Sequence, residues 1–212
     1  MKSTVTPAEI LETIQGLPAL SPVYPEMEVQ ERLKALLAGR PENAFVTRVL
    51  IYSVDGAAEA EALLGGGMPV HETCRMLDGE MQLIEMDTDT TAPGDNARAT
   101  AFGLMAAEAN TGLIVTTAIG PQNPVDDFWN DTSPNVAAIL GTMISGAIAN
   151  IPVIAEGPGA TIAADMLNKL RPDMMPYVFV CEAPDDATDG AGYAGCMLAA
   201  WALSQAIAEN AA

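Results

Sequence analysis

Residues 151–166, I-P-V-I-A-E-G-P-G-A-T-I-A-A-D-M, constrain the fold more than any other stretch. Residues 151–155 form a short apolar run, which reads as a buried strand. The run ends in a carboxylate, Glu156, and a Gly-Pro-Gly bend. A helical pattern then begins over 160–170, with Thr161 placed to cap it. A strand that turns directly into a helix is half of a βαβ unit. In parallel sheets of such units, ligands bind where strand ends meet helix starts.

The rest of the chain repeats this alternation. Strand-like runs occupy residues 46–54, 81–86, 113–118 and 177–182. Helical patterns fill 57–64, 96–110 (capped by Asp95), 134–150 and 191–209. Gly65-Gly66-Gly67 reads as a break, and 119–134 as a long loop. Strands separated by helices imply a parallel sheet. The expected fold is α/β and three-layered, with a mostly parallel sheet of about five strands and helices on both faces. Residues 1–44 read as a helical arm: Thr6-Pro7 starts one helix, Gly16-Leu17-Pro18 stops it, and a second runs over 26–38. Residues 45–212 form the core of one domain.

Composition narrows the partners. The 212 residues carry 28 acids against nine bases, a net charge of −19. That balance argues against nucleic acid and against anionic membrane surfaces, which both need clustered Lys and Arg. No Lys or Arg occurs between Arg98 and Lys169. Residues 132–155 are free of charge, but Asn150 and Pro152 interrupt them. A buried helix followed by a strand explains them better than a membrane span. The three cysteines, Cys74, Cys181 and Cys196, are too scattered for a disulfide framework or a zinc site. The N-terminal residues lack an apolar signal core, so a cytoplasmic protein is expected. Gly141, Ser145 and Ala149 share one helix face, which suits either close internal packing or a homodimer seam.

Four strand ends carry candidate chemistry: Asp55-Gly56, residues 119–124 (I-G-P-Q-N-P), Glu156-Gly157-Pro158-Gly159, and Glu182 with the loop Asp185, Asp186, Asp189. A parallel sheet brings them to one edge. Together they describe a pocket with carboxylates, amide donors and few cations. A carboxylate walled by apolar residues can act as a general base. Removing a proton from a heterocyclic nitrogen fits such a pocket. A phosphate could rest on N–H groups around Gly120 or across 157–160. The Asp185, Asp186, Asp189 loop suits solvent better than a metal, and no metal or cofactor is expected. No G-x-S-x-G elbow, phosphate-binding P-loop or dinucleotide fingerprint is present.

In order along the chain, these motifs resemble the nicotinate-nucleotide:dimethylbenzimidazole phosphoribosyltransferases of cobalamin lower-ligand assembly. V-L-I-Y-S-V-D-G-A is similar to that family's strand ending in A-D-H-G, and M-Q-L-I-E-M-D to its next strand. L-I-V-T-T-A-I-G-P-Q-N-P resembles the strand entering its G-E-x-G-I-G-N-T loop. G-T-M-I-S-G-A-I-A-N-I-P-V-I-A-E-G is similar to its helix followed by P-V-L-L-D-G, and D-G-A-G-Y-A-G to the opening of its last helix. The resemblance implies displacement of nicotinate from nicotinate mononucleotide by a benzimidazole-type base. It implies Asp189 as the base, with Glu156 beside it in the catalytic pocket. Substrate would be held by Asp55, Gly56, Thr117, Gly120, Gln122, Asn123, Gly157 and Gly159. Ala57 stands where the family has histidine, and Pro121 removes an N–H from its loop. Two other readings therefore stay open: a non-catalytic binder of a heterocyclic base or mononucleotide, and an interaction protein using the small-residue helix.

Overall fold

A computed structural model describes residues 5–21, 27–38, 46–54, 58–66, 69–76, 79–86, 95–120, 122 and 125–181 of the protein. Five strands form one sheet in the order β2-β1-β3-β4-β5. They are β1 (Val46–Val54), β2 (Gly79–Met86), β3 (Thr111–Ile119), β4 (Val153–Glu156) and β5 (Val178–Cys181). Every pairing is parallel. The chain runs outward from β1 to β2, then crosses back to β3 and onward to β5. The reversal of direction lies between β1 and β3, where this topology opens a crevice at the strand carboxyl ends.

Helices cover both faces, as the alternating pattern predicts. Helices α1 (Pro7–Gly16), α5 (Asp95–Gly103), α7 (Pro134–Ile148) and α8 (Pro158–Leu170) lie over the face bearing Leu50, Tyr52, Ile114, Ala118, Val153 and Ala155. Helices α2 (Val29–Ala38), α3 (Ala58–Leu64) and α4 (Pro69–Met76) cover the other, with Val49, Ile51, Leu113, Val115 and Ile154. Strand alternation assigns each side chain to its layer. β3 is buried along its whole length, as befits a central parallel strand. Tyr52 is sunk in the first layer, its hydroxyl 2.7 Å from Thr142 Oγ1. Burial pushes that phenol up to about 12, so it stays neutral.

α7 carries no charge and is buried on all sides, from Asn135 to Ala147. It crosses α5 at two glycines. A Cβ on Gly141 would collide with the Thr100 carbonyl, and one on Gly103 with the Ala138 carbonyl. Ser145 Oγ accepts the Ala107 N–H at 3.0 Å. Gly141 and Ser145 of the small-residue face are therefore used inside the chain rather than offered to a second copy. No helix among the described residues is long and apolar enough to cross a membrane.

The structure moves several boundaries. The 96–110 helix ends at Gly103, because tertiary bonds capture the next residues: Arg48 takes the Ala106 carbonyl and Ser145 the Ala107 N–H. α4 is an addition to the expected elements, just after the glycine run. Its signals are Pro69 at the first helical position and Val70 with Cys74 one turn apart. A short helix, α6 (Phe128–Asp131), interrupts the expected loop, capped by Asp127. The 151–155 strand begins at Val153, because Asn150, at φ 57°, and Ile151 close α7. The 191–209 helix lies outside the described residues.

The helical arm is anchored by residues far along the chain. α1 starts with a capping box in which Thr6 and Glu9 satisfy each other's N–H groups. At its end, the buried Arg171 donates to the carbonyls of Ile14, Leu17 and Pro18 at 2.9, 3.3 and 2.8 Å. Asp173 pairs with Arg171 and accepts the Leu20 N–H at 2.8 Å.

This packing can be tested at two points. Gly141→Val costs about 3 kcal/mol of stability through overpacking, read as a lower urea midpoint. A change of mass in light scattering without that loss contradicts the internal role. The Arg171 hydrogen bond holds the Asp173 carboxyl down to about 2. A depressed carboxylate stabilises the fold above its unfolded pKa of about 3.9, and that stabilisation fades as pH falls through about 2. The stability gap between wild type and Asp173→Asn, read by urea melts across pH, should therefore be widest at neutral pH and close in strong acid.

Candidate functional site

Six of the predicted residues meet where β3 and β4 end. Parallel register pairs Thr117 with Glu156, and Glu156 with Cys181. Thr117 Oγ1 donates to the Glu156 carbonyl at 3.2 Å. Glu156 is only 1 % exposed. Gly157 turns the chain at φ +88°, a conformation that favours glycine, and Pro158 opens α8. A Cβ on Gly157 would sit 3.6 Å from Gln122 Oε1 and 4.0 Å from Thr117 Oγ1, which fixes how closely these groups gather.

Gly120 stands at the reversal of strand order. Its φ of +101° and its contact with the Val54 side chain at the end of β1 leave no room for a Cβ. The carbonyls beside it are held by two amides. Asn135 Nδ2 donates to the Ile119 carbonyl at 2.7 Å, and Gln122 Nε2 donates to the Ala118 carbonyl at 2.6 Å. Asn135 also receives the Ser133 hydroxyl and the Val136 N–H on its oxygen. Sequence reasoning missed Asn135. Its signal is an amide in the first turn of a helix without charge, where a fully buried polar side chain needs partners.

Gln122 ties two elements of the protein together. Its Oε1 accepts the Gly159 N–H at 2.8 Å, so it bridges β3 to the start of α8. The other amides there are committed too. The Gly157 N–H reaches the Cys181 carbonyl at 3.1 Å, and the Ala160 and Thr161 N–H groups return to the Gly157 carbonyl at 3.1 and 3.3 Å. Pro158 has no N–H. The expected phosphate cradle across 157–160 is thus filled by the protein itself. Thr161 lies inside α8 and does not cap it; Gln122 satisfies a helix-start N–H in its place.

Burial, reinforced by the charge of Glu156, pushes the Cys181 thiol up to about 11. It remains protonated at neutral pH, so it is no thiolate nucleophile. The rim thus gathers a buried carboxylate and a hydroxyl, with amides that are spent on holding the strand ends in place; a carboxylate in such a setting can take up a proton. Among the described residues, no group of three His, Cys, Asp or Glu side chains could hold a metal. Asp55, Gly56, Asn123 and Asp189 lie outside the described residues, as do Glu182, Asp185 and Asp186.

Gln122→Ala leaves the Gly159 N–H and the Ala118 carbonyl without their partner. A loss of about 2 kcal/mol is expected in chemical denaturation. An unchanged midpoint contradicts the bridging role.

No protein-family model matches the chain, and no curated protein is similar to it in sequence. Solved structures are similar in fold. One is the nicotinate-nucleotide-dimethylbenzimidazole phosphoribosyltransferase of Thermus thermophilus, with a TM-score of 0.62 at 15% identity, covering 95% of this chain and 94% of that one. Another is CobT of the same organism, with a TM-score of 0.60 at 15% identity and 93% of each chain covered. At that identity the likeness establishes a shared fold over nearly the whole of both chains.

Proposed function

We propose that the chain is a phosphoribosyltransferase-like protein of cobalamin lower-ligand synthesis, acting in the cytoplasm on free small molecules. It transfers phosphoribosyl from nicotinate mononucleotide to a benzimidazole-type base. The observation that carries this reading is a buried carboxylate, Glu156, at the strand-end rim of a sheet shared with such transferases. Glu156 and Asp189 are the carboxylates that would take the proton from the attacking ring nitrogen. Thr117 and the Gly120 turn border the same rim.

One observation favours a second reading. The amides that open α8 are all spent within the protein, which leaves that helix start unavailable to phosphate. A binder of the heterocyclic base, without the phosphoribosyl donor, needs no such cradle.

Purified protein given nicotinate mononucleotide and dimethylbenzimidazole should release nicotinate, and Glu156→Gln should slow that release by about 100-fold or more. Calorimetric binding of the base without release of nicotinate selects the second reading. Neither binding nor turnover overturns both.

A further inference from the structure

We propose a second ligand site, for a small aromatic carboxylic acid, around Arg48 on the α5 side of β1 and β2. A cavity of about 270 Å³ lies there, away from the strand-end rim. Its walls are Leu50, Tyr52, Ile84, Phe102 and Met105, and its polar part is Arg48 with Gln82 and Glu108.

Arg48 is 4 % exposed, among apolar neighbours. Burying a guanidinium costs desolvation that only full pairing offsets, so stability alone is a poor reason for one here. Its bonds are unevenly distributed. Nη1 donates to the Ala106 carbonyl at 2.7 Å and pairs with Glu108 Oε1 at 2.9 Å. Nη2 donates to Gln82 Oε1 at 3.1 Å, whereas the buried Nε–H has no acceptor among the described residues. Nε and Nη2 form one edge of the guanidinium, the edge that a carboxylate grips with both oxygens. Gln82 supplies a single neutral oxygen to it. A ligand carboxylate would supply two charged ones and satisfy the unmet donor.

The rim fits the other end of such a ligand. Phe102 and Met105 are 42% and 64% exposed, large apolar side chains left beside the cavity for a ring to cover. Gln82 lies on the edge strand and Glu108 is 64% exposed, so both can move aside without disturbing the core.

The test is a titration with benzoate, using benzamide as the uncharged control, followed through arginine Nε–H resonances. Benzoate should shift the Arg48 resonance, identified by its loss in Arg48→Lys, and benzamide should not. Gln82→Ala removes the competing amide and should tighten benzoate about threefold to tenfold. Arg48→Lys, without the planar fork, should weaken it about tenfold. If Arg48→Lys does not fold, Gln82→Ala decides the matter alone. Equal responses to benzoate and benzamide, or no tightening in Gln82→Ala, overturn the proposal. Dimethylbenzimidazole should leave the Arg48 resonance in place, so failure of the transferase reading and failure of this one are distinguishable.

Discussion

The close crossing of α5 over α7 governs the rest of the structure. Two backbones can touch there only because Gly103 and Gly141 have no side chains. That contact lets an uncharged helix lie against β1, β3 and β4 with every side buried. It also ends α5 at Gly103 and delivers Ala106 and Ala107 to Arg48 and Ser145. At the other end of α7, Asn135 is carried to the Ile119 carbonyl, which sets the turn at Gly120. One packing constraint thus reaches both the strand-end rim and the Arg48 cavity.

The rim itself is built by amides. Gln122 and Asn135 each satisfy a carbonyl at the end of β3, and Gln122 also closes the start of α8. A helix start of this kind ordinarily attracts an anion through its free N–H groups and dipole. Here a neutral side chain meets that demand. The N–H groups that open α8 are thereby satisfied without an anion.

Much of this is legible in the sequence because burial leaves a composition trace. The run 46–54 marks β1 with its bounds unchanged, since apolar and β-branched residues fill both faces of a covered strand. Thr6-Pro7 and Pro134 mark the starts of α1 and α7, because capping chemistry is local. The end of α5 is hidden, because its bonds come from Arg48, 58 positions away. α4 is obscured by the glycines before it. At the site, topology alone places Thr117, Gly120, Gln122, Glu156, Gly157 and Gly159 on one rim. The bridge that Gln122 makes to α8 is invisible, since sequence shows that an amide is present but not which way its oxygen turns.

The anchoring of the arm has a consequence for how the chain matures. Arg171 and the Ile14 carbonyl are 157 positions apart. At ordinary rates of synthesis, the arm leaves the ribosome on the order of ten seconds before its clamp exists. α1 is too short to hold itself together in water over that interval. The arm thus docks only after Arg171 has been made, and until then its buried face, Ile10 and Ile14, is open to chaperones.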